Sequence, residues 1–168
     1  MIELTIKLPP GAPGEVHGQL RLPFELRQKR WLFAALVSGE DVAVKLARGA
    51  SLRGGERLLA SDGRVIEVIA AVERLVHVEC ATASELARAA YHLGNRHVPV
   101  QIGDGFLRFG ENHVLEEMLR GLGAKLTIID APFEPESGAY SGAHSHDDQA
   151  DRRAGRIHEF GGPERSDG

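Results

Sequence analysis

Apolar and polar residues alternate from the first positions of the chain: Ile2, Leu4, Ile6 and Leu8 are separated by Glu3, Thr5 and Lys7. A period of two predicts a half-buried strand with these four residues on one face. Pro9-Pro10-Gly11 and Pro13-Gly14 end it. Residues 30–37 and 42–46 flank Ser38-Gly39-Glu40-Asp41, and residues 58–60 and 65–69 flank Asp62-Gly63. Both patterns predict hairpins, the second because an Asp-Gly pair tolerates the positive φ angles of a tight turn. No stretch here shows helical spacing. Residues 1–74 therefore read as a small all-β domain, either two sheets or barrel-like.

The pattern then becomes mixed. Val76, Val78 and Cys80 alternate as a strand. Thr82-Ala83-Ser84-Glu85 has the form of a capping box, and Leu86, Ala89, Ala90 and Leu93 follow at helical spacing. Gly94 stands where a helix C-terminal glycine is expected. Val98, Val100 and Ile102 predict a strand, Gly103-Asp104-Gly105 a turn, and residues 106–109 its partner strand. Leu115, Met118, Leu119 and Leu122 mark a second helix, opened by Asn112 and stopped by Gly123, before a last strand at 126–129. The order β-α-β-β-α-β is the ferredoxin-like arrangement, assigned to a domain spanning 75–147. From about Glu134 the chain turns polar, and residues 148–168 read as a disordered tail that cannot bury enough apolar surface to offset its ordering entropy. The fold class is α+β.

Composition narrows the function. The 168 residues are 42% hydrophobic but only 5% aromatic, so the core is aliphatic. A formal net charge of −4 argues against nucleic acid as a partner. No apolar run reaches the roughly 18 residues of a membrane span, and the N-terminus lacks a signal-peptide layout, so a cytoplasmic protein is expected. The single cysteine, Cys80, excludes an intrachain disulfide and a cysteine-based zinc site, and its place on a strand suits core packing. No nucleophile-base set and no phosphate-binding loop occurs, so an enzyme is not expected.

Histidines carry the remaining chemistry. His97 lies on the loop after the first helix, where neutral imidazole suits nickel, copper or zinc; its plainer reading is a loop histidine with a local hydrogen bond. His92, inside the helix, reads as structural. His113 opens the second helix, where the partial positive charge disfavours imidazolium and leaves a neutral, metal-competent ring or an ordinary solvated helix start. Glu111 is positioned to add an oxygen ligand. His144 and His146, on a polar tail, are a chance pair or tethered ligands at high effective concentration that release without unfolding anything. Two other classes fit less well. An RNA-binding module would use Phe106 and Phe109 for stacking, and a docking adaptor would use Arg27, Lys29 and Arg30 as its face. Arg53-Gly54-Gly55 reads as a turn.

Tyr91-His92-Leu93-Gly94-Asn95-Arg96-His97 with Val98-Pro99 and Gln101 resembles the signature of the UreE family of urease accessory proteins, which are nickel metallochaperones. His113-Val114-Leu115 with Met118-Leu119, Pro132-Phe133-Glu134-Pro135-Glu136 running into Gly138-Ala139-Tyr140, residues 22–29 and Asp62-Gly63-Arg64 extend the resemblance over nearly the whole chain to His146. It implies a homodimer with an N-terminal peptide-binding-like β domain and a ferredoxin-like metal-binding domain. His97 of both subunits would meet one Ni²⁺, completed by His144 or His146. Zn²⁺ or Cu²⁺ would substitute in vitro, since imidazole binds all three. The implied partners are the urease maturation GTPase and the urease apoprotein complex. Relatives carry extra histidine or aspartate where this chain has Glu111 and Asn112, and some have long histidine-rich tails. One tight site with few auxiliary ligands is the expectation here.

Overall fold

The structure is a computed structural model and describes residues 1–137. His144, His146 and the tail at 148–168 lie outside the described residues. Six strands form the first sheet: β1 (Ile2–Lys7), β2 (Gly18–Leu22), β3 (Trp31–Ala35), β4 (Asp41–Lys45), β5 (Arg57–Ala60) and β6 (Val65–Ala70). Their spatial order is β2-β6-β5-β1-β4-β3. Both expected hairpins are present, as the antiparallel pairs β3–β4 and β5–β6. Leu4, Leu20, Val42, Val44, Leu52, Leu58, Ile66 and Val68 are buried together on the inner face.

Strand β1 departs from simple alternation. Leu4 pairs with Ala60 but Ile6 pairs with Leu59, so Thr5 is an extra residue in the ladder. A bulge of this kind moves every later side chain to the other face. Leu4 is fully buried whereas Ile6 is 53% exposed, correcting the expectation that both face the core.

A second correction is a helix among residues 1–74: α1 (Phe24–Arg27) makes a single turn after Pro23. One turn is too short to show a 3.6-residue period. It is held by tertiary bonds instead. The Phe24 amide donates to Glu73 Oε1 at 2.7 Å, and Arg27 points inward, wholly buried. Arg27 is thus unavailable to the docking face expected of it with Lys29 and Arg30.

The second sheet is built from β7 (Val72–Glu79), β8 (Gln101–Gly103), β9 (Phe106–Gly110) and β10 (Lys125–Pro132), in the order β10-β7-β9-β8 with every neighbour antiparallel. Helices α2 (Ala83–Gly94) and α3 (His113–Gly121) connect them, giving β-α-β-β-α-β in sequence. Val76, Val78, Leu107 and Phe109 from the sheet pack with Ala89, Leu93, Leu115 and Leu119 from the helices. Phe109 is therefore core, and Phe106 is flanked by the Arg108 guanidinium (4.4 Å) and the His77 ring (4.8 Å). The two phenylalanines do not form the paired stacking surface an RNA-binding module would need.

Local chemistry sets both helix starts. Thr82 Oγ1 accepts from the Glu85 amide at 3.2 Å while Glu85 Oε2 accepts from the Thr82 amide at 3.0 Å, a closed capping box. Asn112 Oδ1 accepts from the amides of Val114 and Leu115. The expected strand through Val98, Val100 and Ile102 is shorter than its pattern. Only Gln101–Gly103 pairs, because Pro99 has no N–H to offer a ladder. Val98 and Val100 pack on the core while Ile102 is exposed. Residues just past β10 are fixed rather than loose: Phe133 and Pro135 are buried and Glu134 accepts from Arg27.

Thr82→Ala and Asn112→Ala each remove a cap and lower the unfolding free energy by about 1 kcal/mol. Urea denaturation of the two variants measures this, and a change within error at both positions contradicts it.

Candidate metal centre

His97 stands at the end of α2, and its backbone is the unusual feature of the molecule. Gly94 stays inside the helix, with Asn95 as the cap. The chain then winds more tightly: the Arg96 amide donates to Leu93 O and the His97 amide to Gly94 O, both at 3.0 Å. These are the i to i−3 bonds of a 3₁₀ turn. Among the described residues, His97 is the sole non-glycine with positive φ, at 54°. The left-handed turn expected at Gly94 therefore falls three residues later, on the candidate ligand. For an L-residue this conformation costs roughly 1–2 kcal/mol. Histidine is among the residues that adopt it more readily than most. The turn lifts His97 into solvent, where it is exposed. Arg96 Nη1 caps the helix from the side by donating to His92 O at 2.8 Å.

His113 is the first residue of α3 and is also exposed. A shallow cavity of about 210 Å³ lies between the segment after His97 and the segment before His113. Val98 and Pro99 line it on one side, Gly110, Glu111 and Asn112 on the other, with Leu115 and Phe133. Tyr91 (66% exposed), on α2, and Val114 (59% exposed), next to His113, add uncovered apolar surface. Glu111 is engaged elsewhere: its Oε1 accepts from Arg74 Nε at 3.0 Å, so the oxygen ligand expected from it already has a partner.

The other described histidines are occupied or set back. His17 Nδ1 accepts from the Val65 amide and His77 Nδ1 from Arg108 Nε, each at 3.2 Å. His92 is half-buried and stacks edge-on with Tyr91. Burial pushes the Cys80 thiol above its ordinary range, with Glu85 adding to the shift, so it stays protonated at neutral pH and is a poor ligand. Among the described residues, no three histidine, cysteine, aspartate or glutamate side chains gather into a group able to hold an ion. Neither His97 nor His113 therefore belongs to such a group among the described residues.

The residues that support this region were not singled out as functional by pattern. The segment 133–137 runs beside the loop after His97: the Glu134 amide donates to Gln101 Oε1 at 3.3 Å and the Glu136 amide to Val100 O at 2.8 Å. Glu134 also accepts from the Gly54 amide at 2.8 Å. A Cβ on Gly54 would stand 2.8 Å from that carboxylate oxygen, so Arg53-Gly54-Gly55 is more than a turn; it admits a close approach.

Comparison with known proteins decides the family. Residues 4–71 match the model of the UreE urease accessory protein N-terminal domain, and residues 73–161 match that of its C-terminal domain. The chain belongs to the UreE family of urease accessory proteins. A urease accessory protein UreE from Azotobacter vinelandii is 49% identical over 162 residues, covering 94% of this chain and 98% of that protein. Another from Pseudomonas fluorescens is 50% identical over 147 residues, covering 85% and 89%. A third, from Alkalilimnicola ehrlichii, is 52% identical over 142 residues, covering 84% and 86%. Membership in the UreE family makes this an accessory protein rather than an enzyme. No helix among the described residues is long and apolar enough to cross a membrane.

Replacing His97 by glycine relieves the left-handed strain, offset by the roughly 0.5–1 kcal/mol of extra chain entropy glycine loses on folding. His97→Gly is therefore expected to match the parent in urea unfolding or exceed it by up to about 1 kcal/mol. A loss of comparable size would mean the His97 side chain contributes packing that its exposure does not suggest.

Proposed function

We propose that this protein is a cytoplasmic nickel metallochaperone: a homodimer that binds Ni²⁺ through His97 of both protomers and delivers it to the urease apoprotein complex through the maturation GTPase. His113 and the tail residues His144 and His146 are the further ligands of this reading. The observation that carries it is His97 itself, an exposed imidazole on a left-handed backbone conformation that costs an L-residue roughly 1–2 kcal/mol. The UreE membership supplies the urease context.

The chemistry is consistent. One imidazole binds a divalent cation weakly, and a two-fold axis doubles it without any further ligand from the chain. Affinity then depends on dimerisation. Nitrogen-rich square-planar or six-coordinate geometry suits Ni²⁺, and Zn²⁺ or Cu²⁺ would compete for the same donors. A carrier must release its ion, which a closed structural zinc site does not. In this reading the chain has a β domain over 1–74 and a ferredoxin-like metal-binding domain over 75–147, the latter supported by the β-α-β-β-α-β order around one antiparallel sheet.

Nickel titration of wild type and His97→Ala tests the reading. Affinity is expected to fall by roughly tenfold or more, about 1.4 kcal/mol. Undiminished tight binding by His97→Ala would remove His97 from the centre. Normal urease activation by a His97→Ala strain at limiting nickel would favour an adaptor whose metal binding is incidental.

A further inference from the structure

Arg27 is the one buried charged residue among those described, with 0% exposure, and no part of the metal reading uses it. Each of its three guanidinium nitrogens makes a hydrogen bond. Nε donates to Leu22 O at 3.2 Å, Nη1 to Glu134 Oε1 at 2.8 Å, and Nη2 to Phe133 O. Burying an arginine is costly unless its donors are matched this closely. Two of the three partners belong to the segment 133–137, more than a hundred residues away in sequence.

That segment is strapped from several sides. Phe133 is buried and meets Phe24 edge-to-face at 5.4 Å. The Glu134 carboxylate accepts from the Gly54 amide at 2.8 Å and lies 3.4 Å from Arg53 Nη1, and Arg53 Nη2 donates to Ser137 Oγ. Its other side faces the loop that follows His97. Glu134 N–H reaches Gln101, Glu136 N–H reaches Val100 O, and Phe133 lines the same cavity as Val98 and Pro99. Val98–Val100 lies outside the sheet ladder, so these contacts brace a stretch that strand pairing does not.

We propose that Arg27 and Glu134 are positioning residues for His97: by pinning 133–137 against Val98–Gln101 they hold the preceding turn, and with it the His97 imidazole, in the left-handed exposed conformation. The physical need is direct. A strained residue persists only where its surroundings over-determine it. On the helix side His97 is fixed by its own amide bond to Gly94 O; on the other side the chain is fixed by the strap. With the strap loosened, the turn relaxes toward ordinary φ values in part of the population. The apparent metal affinity then falls by the fraction of chains still competent. This inference rests on the metal reading above, and it extends the site to a residue of the first sheet's own helical turn.

The test uses the full-length dimer as wild type, Arg27→Met, Glu134→Ala and His97→Ala, and the two combinations with His97→Ala. Methionine keeps most of the arginine's volume; Glu134 is partly exposed, so Glu134→Ala serves if Arg27→Met does not fold. Two readouts are taken: amide exchange without metal, and Ni²⁺ affinity by competition with a chelator. Exchange at Glu136 and His97, whose amides report the strap and the turn, is expected to rise roughly tenfold or more while cooperative unfolding is retained. Ni²⁺ affinity is expected to fall roughly three- to tenfold in each single variant and to show no further loss once His97 is alanine. A loss of equal size in the His97→Ala background would mean the clasp acts on the fold at large, and an unchanged affinity despite a released strap would mean His97 needs no bracing; either overturns the proposal. If His97→Ala alone costs no affinity, the metal reading fails and takes this inference with it, a result distinguishable from a clasp variant that is silent beside a damaging His97→Ala.

Discussion

The structure depends on the burial of one guanidinium. Arg27 enters the interior from a single helical turn and finds two carbonyls and a carboxylate arranged around it. Such a group is weak evidence for net stability, since desolvation offsets much of the attraction. What it provides is specificity. A planar fork with fixed donor directions accepts few arrangements of its partners, so Arg27 restricts where residues 133–137 lie, and in that place they also bond Gly54, Gln101 and Val100. A hydrophobic contact of equal area would tolerate sliding; this one does not. The path of the chain past β10 is thereby set, and the loop after His97 is set against it.

Placed beside this, the left-handed His97 becomes intelligible. Helices commonly end with a residue in that conformation, and glycine is the usual choice because it lacks Cβ. Gly94 is available three residues earlier and remains helical. Placing the left-handed position on a histidine costs stability, and the imidazole there is exposed. Backbone strain of this kind clusters at functional sites, and that motivates the metal reading proposed for His97. The same economy is seen around it. Histidines that serve the fold, His17 and His77, already accept hydrogen bonds, while His97 and His113 stand in solvent.

Much of this was legible in the sequence wherever the cause is local. The Thr82–Glu85 capping box, the Asn112 cap, the Asp62-Gly63 hairpin and the order of elements from Val72 onward all follow from short-range chemistry and apolar spacing. The misses have tertiary causes. The bulge at Thr5 depends on how β1 meets β5, so Ile6 looked inward by period alone. The turn at 24–27 is too short for a period and exists to deliver Arg27. Pro99 cut short a strand that valine alternation had drawn through it. At the site, residue type singled out His97 and the family resemblance gave it a partner. Its left-handed conformation gives no signal in the apolar pattern, and the Arg27 clasp joins residues over a hundred apart, which no window along the chain contains.

The proposal that His97 from two protomers meets at a single ion is tested most directly by anomalous diffraction at the nickel edge from crystals of the nickel-loaded, full-length protein. One strong peak is expected on a two-fold axis, with a His97 imidazole nitrogen from each protomer at bonding distance. A peak placed away from both His97 rings, or an ion held within one protomer alone, would contradict it.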